Sequence, residues 1–346
     1  MKRNRAMACM LAAALAANAH AQETPAAGTL PQRLADTGLY RVGSMTEIRA
    51  GNLPFSPQYP LWSDGAAKRR WLYLPPGKSI DASSSDAWDF PAGTKLWKEF
   101  SHGRRVETRL IERLDDGTWR FAAYLWNETG TDATLAPAAG MPGLDVDGAP
   151  RGRYSVPAEP DCRTCHEGAA VPVLGVSALQ LSPDRDALAP HAEPRRAGEV
   201  DLRDLVERGL LRNLPREMLE SPPRIPAATP AARASLGYLH GNCGHCHNDN
   251  GSPPPVDLVL AQSAAAKGEV MRSLLGASSR YRVPGMRAAA AVIEPGRPEA
   301  SLLTARMRSR SPLTQMPPLG TQEPDRQALE LIERWIRSQP QIRKEH

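Results

Sequence analysis

Two copies of one pentapeptide constrain this chain more than any other feature. Cys162-Arg163-Thr164-Cys165-His166 and Cys243-Gly244-His245-Cys246-His247 both read Cys-x-x-Cys-His, the attachment signature of c-type haem. Two thiols one helical turn apart can add to the two vinyl groups along one porphyrin edge. The His that follows then lies under the ring centre and ligates the iron. The expectation is two covalently bound haem c groups, held by Cys162, Cys165, Cys243 and Cys246, with His166 and His247 as proximal ligands. Zinc is the competing reading, since Cys and His also bind zinc, but a compact zinc site brings its half-sites closer in sequence. A structural disulfide network would not need the two histidines.

The N-terminus supports export. Lys2, Arg3 and Arg5 precede a short apolar run from Ala6 to Ala17, and Ala19-His20-Ala21 is a small-x-small cleavage site. This is the pattern of a secretory signal over residues 1–21, cleaved near Ala21, and it points to the periplasm. Cys9 lies inside that leader and leaves with it. The run is too short for a membrane span of ~20 residues, and no later stretch qualifies, so no transmembrane span is expected. The formal net charge of +5 includes the three leader cations. What remains is near neutral and gives no footprint for nucleic acid.

The rest of the chain divides by pattern. The 33 prolines and 27 glycines indicate a loop-rich fold, while 41% hydrophobic residues suffice for packed cores. Residues 22–156 read as β-rich and hold six of the seven tryptophans. Short strands are expected at Trp71–Leu74 and Thr94–Phe100. The clearest hairpin is Val106 to Trp126, turning at Asp115-Asp116-Gly117. Aromatics on both parities of its second strand indicate burial on both faces. An antiparallel sheet, in the form of a small sandwich, is the expected architecture. Residues 157–346 read as a mostly α-helical, cytochrome c-like dihaem domain. Helical spacing occurs within Glu199–Leu211, Pro298–Met307 and Asp325–Arg337. Thr229-Pro230 has the form of an N-cap followed by Pro at the first helical position, and that helix runs into the second motif. The first motif has no evident helix before it. The fold class expected is therefore α+β.

Each iron has a sixth position to fill. Met316, just before Pro317-Pro318-Leu319-Gly320 and the terminal helix, is the expected distal ligand of the second haem. A Met ligand raises the reduction potential and suits electron transfer, whereas an open position suits catalysis. For the first haem Met141, His102, His191, His240, Met286 and Met307 are candidates without a distinctive setting. Arg163, Arg280, Arg282 and Arg306 are candidates to clamp haem propionates, since Arg matches carboxylate geometry. His245 is expected at the surface, and Gly244 is expected to ease approach to the porphyrin edge. Asp64, in Pro60-Leu61-Trp62-Ser63-Asp64-Gly65, reads as a turn into the Trp71 strand. No nucleophile–base pair and no phosphate-binding glycine loop stands out.

The chain resembles a largely uncharacterised bacterial family of exported dihaem c-type cytochromes. In the first half the resemblance rests on Pro60–Ala66, Tyr73–Gly77, Phe90–Thr94, Glu107–Leu110, Tyr124–Glu128 and Thr131–Leu135. In the second half it rests on both haem motifs, Asn242–Asn248, Glu294–Pro298 and Met316–Gly320. The resemblance implies two covalent haems and a β-rich N-terminal module, and it supplies no substrate. Some members of that family are lipoproteins, but this chain lacks a convincing lipid-attachment cysteine. The expected function is electron carriage between redox protein partners. A peroxidase-like dihaem oxidoreductase with one open haem is the alternative. A sensor in which the β-rich module captures a ligand is a third reading.

Overall fold

The computed structural model describes residues 29–250, 258–264, 269–279, 281, 283–286 and 290–340. The leader and its cleavage site lie outside these residues, as do Arg280 and Arg282. The fold is α+β, and its strands are Leu53–Pro54 (β1), Ala67–Tyr73 (β2), Ile80–Asp81 (β3), Lys95–His102 (β4), Arg104–Arg113 (β5), Trp119–Trp126 (β6), Ala133–Leu135 (β7), Met141–Asp145 (β8), Arg153–Val156 (β9) and Leu211–Arg212 (β10). Six of them form one antiparallel sheet in the order β1-β2-β4-β5-β6-β7. The β5–β6 hairpin closes as its sequence dictates. Leu114 and Thr118 bridge the turn at 2.9 Å, and Gly117 takes the positive φ of 81° that a side chain would resist.

The second layer is not a second sheet. One sheet face carries Trp71, Trp97, Leu110 and Tyr124, and it is covered by Leu34, Leu39 and Tyr40 of the N-terminal segment. The opposite face carries Leu72, Leu96, Ile111 and Phe121, and it packs on Val173, Val176, Leu181, Leu202 and Leu205. That second cluster joins strands before residue 156 to a segment that follows it. The covering segments have little regular structure, so side-chain hydrogen bonds hold them. Gln58 Nε2 donates to Leu179 O at 2.9 Å, Gln180 Oε1 accepts from Tyr59 N at 2.9 Å, and Asp186 N donates to Gln58 Oε1 at 2.7 Å.

The helices are Glu159–His166 (α1), Leu202–Glu207 (α2), Glu217–Glu220 (α3), Pro230–Cys243 (α4), Glu269–Leu274 (α5), Leu302–Arg308 (α6) and Arg326–Arg337 (α7). Their starts follow the capping residues. Asp201, Thr229 and Asp325 each accept from the backbone at the start of α2, α4 and α7, which satisfies donors that a helix leaves open. α4 and α7 share an apolar core with Leu236, Leu239, Leu329, Ile332 and Trp335 at its centre. Among the described residues no helix is long and apolar enough to cross a membrane.

Candidate functional site

A cavity of about 1120 Å³ lies between the sheet face of β4 and β5 and the helical core. Drug-sized ligands fill pockets of roughly 300–1,000 Å³, so this space exceeds what one small ligand needs. Cys162, Cys165, His166, Cys243, Cys246, His247 and Met316 all line it. The structure thus brings together the four motif cysteines, both motif histidines and Met316.

The first motif forms the C-terminal five residues of α1. Asp161 accepts from the Ala158 backbone at 3.0 Å, and Pro160 occupies the first turn. His166 sits at the C-terminal end, where its ring centroid lies 5.3 Å from that of Phe121 on the sheet. Its Nδ1 is 2.5 Å from Pro172 O. A carbonyl can only accept, so Nδ1 carries the proton and Nε2 keeps its lone pair, the arrangement a metal ligand requires. Burial, above all, lowers the His166 pKa to about 4, so the ring is neutral at pH 7.

The second motif ends α4. Gly237 and Gly241 clear a groove for Tyr59, because a side chain at either position would overlap it. Asn242 then fastens the same loop, with Oδ1 accepting from Trp62 N at 2.7 Å and Nδ2 donating to Pro60 O at 3.3 Å. His247 is held by its carbonyl, which accepts from Leu260 N at 2.8 Å and Ala261 N at 3.1 Å. Burial is the main reason its pKa falls. The Leu258 backbone faces the imidazole and opposes that fall without closing a hydrogen bond, and Nδ1 is left without a partner. Gly244 meets close backbone neighbours. A Cβ there would come within 2.9 Å of Ala261 Cα and 2.7 Å of His240 O, so the position is small to admit the chain after the motif.

The two motifs touch. Asn248 Nδ2, one residue past the second motif, donates to Gly168 O at 2.8 Å. Cys246 Sγ lies 3.9 Å from Thr164 O. Among the described residues the four motif cysteines form no disulfide. Burial pushes the Cys243 thiol up to about 12. Cys165 is raised and Cys246 lowered by their hydrogen bond to one another. Among the described residues no three His, Cys, Asp or Glu side chains gather as a closed metal cage would need.

Met316 lines the cavity, and its backbone N donates to Arg306 O at 3.0 Å. Its loop is tied down by Asp64, whose carboxylate accepts from Gln322 N at 2.8 Å and from Glu323 N at 3.2 Å. Asp64 therefore does more than make a turn. It has a positive φ of 50° and lines the cavity beside Leu61 and Trp62. Of the candidate ligands for the first haem, only Met307 lines the cavity, and it is also buried in the helical core. His191 is bound to Asp325 at 2.8 Å, and His240 Nδ1 accepts from Gln262 N at 3.0 Å. His245 also lines the cavity, beside Cys165. Arg163 is committed to Glu159 and Glu167 on its own helix, away from the cavity. Arg306 does line the cavity, with its guanidinium 3.8 Å over the Tyr281 ring.

Sequence reasoning missed the cations on the sheet. Arg70, Lys98 and Arg109 line the cavity, and only their strand alternation in the sequence hints at a shared face. The buried Arg70 Nη2, the Arg310 Nε and the His247 Nδ1 have no hydrogen-bond partner. Unpaired polar groups around one large cavity fit a bound group that carries acceptors, and the carboxylates of a haem are such acceptors. No protein-family model, curated protein or solved structure matches the chain.

Proposed function

We propose that the protein is a dihaem c-type cytochrome of the periplasm that carries electrons between redox protein partners. One observation carries the reading: two complete Cys-x-x-Cys-His motifs, distant in sequence, face one cavity and touch through Asn248 and Gly168. Cys162 with Cys165, and Cys243 with Cys246, would hold the two rings. His166 and His247 are the neutral imidazoles that would hold the irons, and Met316 is the thioether that would complete the second. Haem supplies one-electron chemistry at iron, tuned by axial ligand and burial. The protein's part is to keep His166 in one tautomer through Pro172, to fix the Met316 loop through Asp64, and to keep the two attachment sites adjacent. Adjacent sites suit passage of an electron from one iron to the other.

The test is attachment itself. The mature chain, produced in a host with the c-type maturation apparatus, should gain the mass of two haems and show Soret absorbance. A chain with its bare polypeptide mass and no Soret band refutes the proposal. The alternative, a peroxidase-like oxidoreductase with one open haem, is favoured by a single observation. Of the sequence candidates for the first haem's sixth position only Met307 lines the cavity, and it also packs in the helical core. Carbon monoxide binding to one reduced haem, with peroxide turnover, would select that reading.

A further inference from the structure

Three strands present a row of cations to the cavity. Strand pairing sets Arg70 of β2 opposite Lys98 of β4, and Lys98 opposite Arg109 of β5. All three lie on the cavity side of the sheet. Like charges directly opposite on neighbouring strands repel, so such a row needs anions to match. Arg70 Nη1 has Glu193 at 3.1 Å, and Arg109 Nε has Glu107 at 2.7 Å. Lys98 has no carboxylate within ion-pair reach among the described residues, and its Nζ rests 4.9 Å over the Phe100 ring. Arg70 is buried, yet its Nη2 has no hydrogen-bond partner. The two unmet groups belong to residues directly opposite one another. Lys98 is also near enough to His166 to disfavour a second positive charge there.

We infer that Arg70 Nη2 and Lys98 Nζ, backed by the charge of Arg109, form an anion site beside the first Cys-x-x-Cys-His, shaped for a carboxylate or a small inorganic oxyanion. Charge-assisted hydrogen bonds of this kind are the strong ones. The anion has two sources. A propionate of a haem on Cys162 and Cys165 would make the site a cofactor clamp, and this source rests on the haem reading above. A free oxyanion would make it a substrate site.

The experiment uses the mature holoprotein, with mass and Soret absorbance reporting haem attachment separately. Wild type, Lys98→Met and Lys98→Arg are titrated with sodium nitrite and with sodium sulfite at constant ionic strength, and the haem spectrum is read. Resonance Raman spectra then compare their propionate bending bands, which respond to hydrogen bonds on the carboxylates. A free-anion site gives a saturating change in wild type that weakens at least tenfold in Lys98→Met and survives in Lys98→Arg. A propionate clamp gives no anion response, a shifted band in Lys98→Met and a restored band in Lys98→Arg. An anion response equal in wild type and Lys98→Met overturns the inference, as does indifference to both anions with an unmoved band. A haem that turns from six- to five-coordinate in Lys98→Met also overturns it, since Lys98 would then be an iron ligand. Arg70→Gln, read in the same way, serves if Lys98→Met does not fold. If the mature chain carries no haem, the haem reading fails alone, and calorimetric binding of sulfite to that chain, present or absent, still decides the anion site.

Discussion

Gly237→Ala tests the joint that holds the second motif in place. An added Cβ would come within 2.5 Å of Tyr59 Cζ and closer still to Cδ1 and Cε1. Tyr59 is 2% exposed, and its hydroxyl donates to Asp186 at 3.3 Å. Moving the ring aside forfeits about 1.5–3 kcal/mol of burial and about 1 kcal/mol of hydrogen bond. Replacing a mid-helix Gly returns about 1 kcal/mol of helix propensity. The net loss is about 1.5–3 kcal/mol. With m near 3 kcal/mol/M for a chain of this size, the urea midpoint read by circular dichroism should fall by roughly 0.5–1 M. Tyr59→Ala empties the space, so in that background Gly237→Ala should become stabilising by about 1 kcal/mol. Gly241→Ala is the control. Its Cβ would meet the Tyr59 carbonyl, which Tyr59→Ala leaves in place, so that background should not rescue it. A neutral Gly237→Ala, or additivity with Tyr59→Ala, would show that the loop does not pack on α4 as described.

Met316→Ala in the holoprotein should lower the potential of one haem and remove any Met-type charge-transfer band; an unchanged potential and spectrum refute the ligand assignment. His240 has its pKa lowered to about 4, chiefly by burial, against the ordinary 6.5. The unfolded state therefore binds the proton more readily, and the stabilising effect of the neutral ring is lost as pH falls from 6.5 to 4. The loss reaches about 3 kcal/mol, and His240→Gln should flatten that part of a stability-against-pH curve. Glu107 is fully buried and accepts from both Arg109 and Tyr154. Glu107→Gln leaves Arg109 without its counter-charge and should cost about 3–5 kcal/mol in urea unfolding; a change under 1 kcal/mol would mean the pair is solvated.

What the sequence reveals depends on how local the cause is. The β5–β6 hairpin is legible because alternation and an Asp-Asp-Gly turn are both local signals. α4 is legible from Thr229-Pro230, and α7 from its apolar stripe. α1 is not, because its eight residues carry no repeating apolar pattern; its only sign is the motif itself. The cover over the Leu72, Leu96, Ile111 and Phe121 face is equally silent. Residues 171–182 have no period to read, since hydrogen bonds from Gln58 and Gln180 hold them rather than a repeating pattern. Asp64 reads as a turn, and its role becomes visible only when Gln322, 258 positions later, is seen to donate to it. The cation row follows the same logic. Arg70, Lys98 and Arg109 are plain in the sequence, but their adjacency exists only once the strand register is known.

That register also bears on what the sheet is for. The sheet could close the cavity with apolar side chains alone, as Leu96 and Ile111 of the Leu72, Leu96, Ile111 and Phe121 rung do. Two residues further along the same strands the face changes to Arg70, Lys98 and Arg109. Burying three basic side chains side by side is unfavourable in their charged forms unless something anionic meets them. Glu107 and Glu193 answer two of the three. His166 packs on Phe121 in the apolar rung, so the first motif stands where the sheet passes from apolar to cationic. The sheet is therefore one wall of the site. Its unanswered charge makes the first motif's surroundings chemically unlike those of the second, whose helix joins the apolar core of α7.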